Sequence, residues 1–272
     1  MTVPFTDSGP AGMAGQTAAS GVSSGYGVAD QNGGGGDYAD VNTDDLGVAY
    51  AGTYPDRFNS IILSRHEAAE ENVRRIFDNY AERILIQTSN YPVDGVAFYD
   101  PKPQERGVYF NAEADANNPR GAGTTYFHEI GHMIDNALLD YSGYLSDEPM
   151  FLNALMQDGL DLLVKYSKMD SEQRAYTDRF LFRDECHSLS DLVDAITKGK
   201  LSGKYGHDRD YWDDRSNISK EAFAHFFEAA MGGGEKKTIL SECFPRATKV
   251  FDALIASLLP KVKTQSLSKT WR

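Results

Sequence analysis

The chain has 272 residues with 41% apolar content, enough for a substantial core, and carries 27 Lys plus Arg against 40 Asp plus Glu, a formal charge of -13. That balance argues against a phosphate-backbone binder, so nucleic acid is not expected as a partner. No apolar run approaches the ~18 residues of a spanning helix, residues 1–15 lack the basic and apolar regions of a secretory leader, and two cysteines, Cys186 and Cys243, exclude a disulfide scaffold or Cys-rich metal cluster.

A membrane partner is therefore not expected, and the expected location is the cytoplasm, a virion, or a target reached without such a leader. Whether the two cysteines pair stays open at this level. Residues 1–50 hold 11 of the 25 glycines and six aspartates but no Lys or Arg, with Gly33–Gly36 in a row. Ordering such a stretch costs ~1–2 kcal/mol of backbone entropy per residue with few large side chains to offset it. A disordered tail is expected over 1–50 and one domain over 51–272, only mildly acidic once the tail's aspartates are set aside.

From 57 to 83 the chain is rich in Glu, Ala, Arg and Asn, has no Gly or Pro, and reads as helix. Short β-favouring runs follow at Ile84–Thr88, Gly95–Tyr99 and Gly107–Asn111, separated by Pro92, Asp94, Pro101 and Pro103, which predicts a small sheet. Beyond Gly121 the spacing predicts helices over Thr124–Leu139, Pro149–Tyr166, Ser171–Phe182, Leu189–Thr197, Ser219–Met231 and Ala247–Leu259, broken by glycines such as Gly143, Gly199 and Gly232–Gly234. The order gives an α+β domain in which helices dominate.

The chemistry begins at Tyr126-Phe127-His128-Glu129-Ile130-Gly131-His132, an H-E-x-x-H pattern. On a helix His128 and His132 lie about 40° apart and one turn up, so both imidazoles can hold one Zn²⁺ at ~2.0–2.1 Å. Phe127, Ile130, Ile134 and Leu138 form a separate apolar stripe, and Glu129 leans beside the metal position without ligating it. Gly131 costs about 0.5–1 kcal/mol in a helix interior, which calls for a reason such as close approach of a neighbouring element. The preceding run Val108, Tyr109 and Phe110 is the candidate exposed edge strand for aligning a peptide substrate.

A catalytic zinc needs a third protein ligand and an open position. The stretch from Lys220 to Glu228 offers Glu221, His225 and Glu228 on one helix face, and spacing alone leaves the three unseparated. His66 reads as a surface residue, and His187 points away from its neighbour Cys186, so no nucleophilic dyad is expected there. Cys243 reads as packed in the C-terminal helical region. No phosphate-binding loop is present in the sequence.

The run from His128 to Asp135, followed 89 residues after His132 by Glu221-Ala222-Phe223-Ala224-His225, resembles the H-E-x-G-H-x-x-D and E-x-F-A-E motifs of anthrax lethal factor-type zincins, which include the Pro-Pro endopeptidases. With Gly206–Trp212 between them, the two motifs are also similar to metallopeptidase-like domains of phage head-associated proteins. The resemblance covers about 95–260. It implies a zincin-like fold, one Zn²⁺ held by His128, His132 and Glu221, Glu129 as general base, and Asp135 as an acid behind the His128 imidazole. It also implies a tyrosine that stabilises the oxyanion. Tyr211 matches best, with Tyr205 and His207 as alternatives. His225 stands where the family has a second Glu, so the surroundings of the metal differ there.

The function implied is that of a zinc-dependent metalloendopeptidase acting on a peptide or protein substrate, as a toxin or as a phage processing enzyme. The alternative is a phage head-associated structural protein whose zincin-like domain keeps a mainly structural metal.

Overall fold

In a computed structural model of the chain the described residues are 3–5, 54–90 and 97–259. The expected tail lies outside them except at its start, where Val3 and Phe5 are buried and the Phe5 carbonyl accepts a 3.0 Å hydrogen bond from Lys165. Those residues thus pack into the core, contrary to the disorder expected of the whole 1–50 stretch. Two large side chains and a main-chain anchor distinguish them from the Gly/Asp composition on which that expectation rests.

The 57–83 region folds as Asp56–Ala68 (α1), Glu71–Asn79 (α2) and Ala81–Ile86 (α3). The third helix occupies most of the run expected as a strand. Ala81 and Ile84, one turn apart, are both buried, and that helical spacing overrides the local β preference. The strands are Thr88–Asn90 (β1), Phe98–Asp100 (β2) and Gly107–Phe110 (β3). They form a sheet of order β1-β3-β2, with β1 parallel and β2 antiparallel to β3.

The remaining elements are Ala112–Ala116 (α4), Thr124–Ala137 (α5), Pro149–Lys168 (α6), Ser171–Leu181 (α7), His187–Thr197 (α8), Ser216–Gly232 (α9), Gly234–Cys243 (α10) and Pro245–Leu258 (α11). The six helices predicted beyond Gly121 are present with small shifts at their ends. The Gly232–Gly234 break separates α9 from α10, which the sequence does not predict; its buried Ile239, Leu240 and Cys243 follow helical spacing. Cys186 and Cys243 are free and buried.

Helices α5 and α9 form the centre of the fold. A Cβ on Gly131 would lie 2.8 Å from the Ala224 Cα and 3.2 Å from its carbonyl oxygen, so glycine is required for the two backbones to approach this closely. Phe127, Ile130 and Ile134 are fully buried on α5 against Phe223 and Phe227 among others of the same core, while Leu138 is only half-buried. The first turn of α5 is held by Asp115, whose carboxylate accepts the amides of Thr125 at 3.0 Å and Tyr126 at 2.9 Å. An acid at a helix N-terminus satisfies otherwise unpaired donors and opposes the helix dipole favourably. Asp158 does the same for α11 through the amides of Arg246 and Ala247, both at 2.9 Å.

Candidate metal centre

The two imidazoles of α5 point towards Glu221 on α9. Glu221 Oε2 lies 3.1 Å from His128 Nε2 and 3.5 Å from His132 Nε2, and the imidazole rings are 4.8 Å apart at 87°. Two ligands held at ~2.0–2.1 Å in tetrahedral geometry stand about 3.3 Å apart, so the measured separations bracket the spacing that a shared zinc ion requires. Two nitrogens and one carboxylate oxygen also form a donor set suited to zinc. The His128 and His132 side chains retain 15% and 14% exposure against 3% for Glu221, which leaves the fourth position facing solvent.

That position opens into a cleft of about 260 Å³ whose walls include Tyr99, Glu129, Tyr144, Tyr211 and Lys220. Lys220 Nζ lies 4.5 Å above the Tyr144 ring. Glu129 sits beside the ligands. Burial pushes its carboxyl up to about 7 and nearby Glu221 adds to this, against the opposing pull of His132, Arg120 and a hydrogen bond from the Tyr99 amide. Burial alone would lower His132, but Glu221 raises it to about 9, whereas burial and the neighbouring His225 bring His128 down to about 3.

Tyr211 lies on a 3-10 turn, Arg209–Asp213, and its hydroxyl donates to Glu221 Oε1. Burial and then Glu221 raise its pKa, which keeps the hydroxyl proton in place. His207 stacks on Tyr211 with ring centres 4.3 Å apart and holds Nε2 3.9 Å from Glu221 Oε1. Tyr205, the other alternative, turns away and donates to Asp184.

Two expectations need correction. Asp135 does not reach His128: its oxygens accept the Ser146 amide at 2.7 Å and hydroxyl at 2.6 Å, fastening the 3-10 turn Leu145–Asp147 to α5. Seven residues along a helix nearly realign the two side chains in direction but separate them by about 10 Å along the axis. The substrate-strand expectation also moves. β3, with Val108, Tyr109 and Phe110, is the central strand, and Val108 and Phe110 are fully buried. Among the described residues β1 and β2 are both edge strands, and β2 is the one whose Phe98 and Tyr99 line the cleft. The Tyr99 hydroxyl donates to Asn136 of α5 at 2.8 Å, tying this edge to the helix that carries His128 and His132.

The three acids and imidazoles of α9 separate clearly. Glu221 faces the imidazole pair. Glu228 is fully buried with Lys236 at 2.8 Å, His187 at 2.9 Å and Arg65 at 3.4 Å. His225 Nε2 meets Asp191 Oδ2 at 3.0 Å, with its ring centre 4.5 Å from that of His128. His66 pairs with Asp78 at 2.6 Å, away from the centre. Asp191 was not singled out by the sequence, although an acid in the run Leu189-Ser190-Asp191-Leu192-Val193 of an apolar helix is a signal that it needs a partner.

Two further groupings, His128 with His225 and Glu228, and Asp191 with His207 and Glu221, also have donor atoms within 4.8 Å of one another. Glu228 is already balanced by Lys236 and Arg65. His207 Nδ1 is already engaged by Asp191 at 3.0 Å, and its Nε2 stands 3.9 Å from Glu221 Oε1, wider than the spacing of the two α5 imidazoles to Glu221 Oε2. The His128, His132 and Glu221 set is the best fit to a divalent cation.

No described helix is long and apolar enough to cross a membrane. Comparison with protein-family models, with curated proteins and with solved structures finds no match in any of the three.

Proposed function

We propose that the chain is a zinc-dependent metalloendopeptidase with a zincin-like site. The observation that carries this reading is the convergence of His128 and His132 with a distant carboxylate, Glu221, beside a second acid, Glu129, that is buried and stands outside the set. A purely structural metal needs ligands and no base, and it is usually closed by a fourth side chain. The exposed face of the imidazole pair and the cleft in front of it favour turnover over the phage head structural alternative.

When bound, zinc would supply Lewis acidity and lower the pKa of a coordinated water to about 7. The residues around it have separate tasks. Glu129 accepts the proton of the attacking water and returns it to the leaving amine, a role suited to a carboxylate that lines the cleft beside the two imidazoles. Tyr211, whose hydroxyl donates to Glu221 in the structure, would turn that hydrogen bond to the developing oxyanion, and its raised pKa keeps the hydroxyl protonated as a donor. The free edge of β2 aligns an extended peptide across the cleft by main-chain hydrogen bonds.

The test is cleavage of a peptide library, read by mass spectrometry, with wild type and Glu129→Ala loaded with one equivalent of zinc. Cleavage by wild type alone supports the reading. Equal cleavage by both proteins, or by neither, removes it.

A further inference from the structure

We propose that Asp191, on α8, is a positioning residue that fixes the orientation of His207 and His225 behind the centre; what that centre does rests on the metallopeptidase reading above. Asp191 is 3% exposed and bonds to none of the three ligands. Its two oxygens serve two arms. Oδ1 accepts the His207 main-chain amide at 3.1 Å and faces His207 Nδ1 at 3.0 Å. His207 then lies nearly parallel to Tyr211, at 16°, and Tyr211 donates to Glu221. Oδ2 faces His225 Nε2 at 3.0 Å, and the His225 ring packs 4.5 Å from that of His128. One acid outside both sequence motifs therefore reaches the carboxylate ligand by one route and an imidazole ligand by the other.

The protons follow from the same contacts. An ionised carboxylate only accepts, so His207 donates from Nδ1 and His225 from Nε2. His225 Nδ1 is then a bare nitrogen, in keeping with its burial without a hydrogen-bond partner. An N–H at that point would be a buried donor left unsatisfied. Asp191 thus sets the tautomer of His225 as well as its ring angle. Asparagine keeps its carbonyl oxygen for the His207 main-chain amide and turns its own N–H towards His225 Nε2, which reverses that hydrogen bond and moves the His225 proton to Nδ1, where no acceptor waits.

The experiment compares wild type and Asp191→Asn in long-range ¹H–¹⁵N spectra of the imidazoles, recorded on the metal-free protein. It is followed by zinc competition against a chromogenic chelator and the visible spectrum of the cobalt-substituted protein. The expected result is a changed tautomer at His225 with His66 unaltered, zinc affinity about 10–100-fold weaker and an altered cobalt spectrum. An unchanged tautomer at His225 overturns the proposal.

If Asp191→Asn fails to fold by circular dichroism, His225→Gln and His207→Gln each remove one arm. The first should weaken zinc binding about tenfold or more, and the second should lower kcat with zinc affinity within about twofold. Zinc affinity in His225→Gln within twofold of wild type contradicts the proposal. The metal-free spectra need neither zinc nor turnover, so a wild type that cleaves nothing defeats the peptidase reading while Asp191 is still decided on its own.

Discussion

Glu221 Oε2 stands 3.1 Å from His128 Nε2 although 93 residues separate the two in sequence. The contact exists because α5 and α9 cross closely at Gly131 and Ala224, one turn or less from both residues. The ligand geometry is therefore a consequence of helix packing, and it should respond to changes that touch no ligand.

Gly131→Ala tests this dependence. The added methyl meets backbone at 2.8 Å, so the helices must separate, at a cost of about 1–3 kcal/mol. Urea denaturation should show that loss, and zinc affinity should fall with it. A variant as stable as wild type would mean the two helices have room to spare.

Glu129→Gln keeps the size of the side chain and removes the base. Turnover should fall about 10²- to 10⁴-fold with zinc affinity nearly unchanged, because Glu129 is not a ligand. Steady-state kinetics together with metal competition separates the two effects. A large loss of zinc binding would place Glu129 among the ligands instead.

Glu228 governs stability in acid. Burial opposes its charge, but Lys236, His187 and Arg65 outweigh burial and hold its carboxyl well below the ordinary carboxylate range. The unfolded carboxyl titrates near 4.5, so the stabilisation is present above that pH and is lost as pH falls towards the folded value. Glu228→Gln should be less stable at pH 7 by about 3–5 kcal/mol and should lose less than wild type on acidification below 4.5. Parallel denaturation profiles for the two proteins would show that Glu228 does not carry this dependence.

Zinc should stabilise the folded chain through all three ligands. At a free concentration of about 100 times Kd the gain is about 2.7 kcal/mol, visible as a rise in Tm. Glu221→Gln should lose most of that rise, measured against its own metal-free Tm. An equal rise in both proteins would remove Glu221 from the ligand set.

The helical skeleton beyond Gly121 and the H-E-x-x-H pair were legible in the sequence because both rest on local periodicity, which helix geometry imposes. Glu221 could be placed among three candidates on one helix face, and only the packing of α9 on α5 separates it from His225 and Glu228. The edge strand was misplaced because strand order is non-local: nothing within Val108–Phe110 reveals that β1 and β2 flank it on both sides. Asp135 was misread because angular alignment on a helix says nothing of axial distance. Asp191 carried no motif, and its role appears only when α8 brings it between His207 and His225.

The most direct measurement is an anomalous-difference map at the zinc absorption edge from crystals grown with zinc. A single peak about 2.0–2.2 Å from His128 Nε2, His132 Nε2 and a Glu221 oxygen is the predicted result. A map with no peak between these three side chains, or with the ion held elsewhere, would contradict the metal centre on which the proposed chemistry depends.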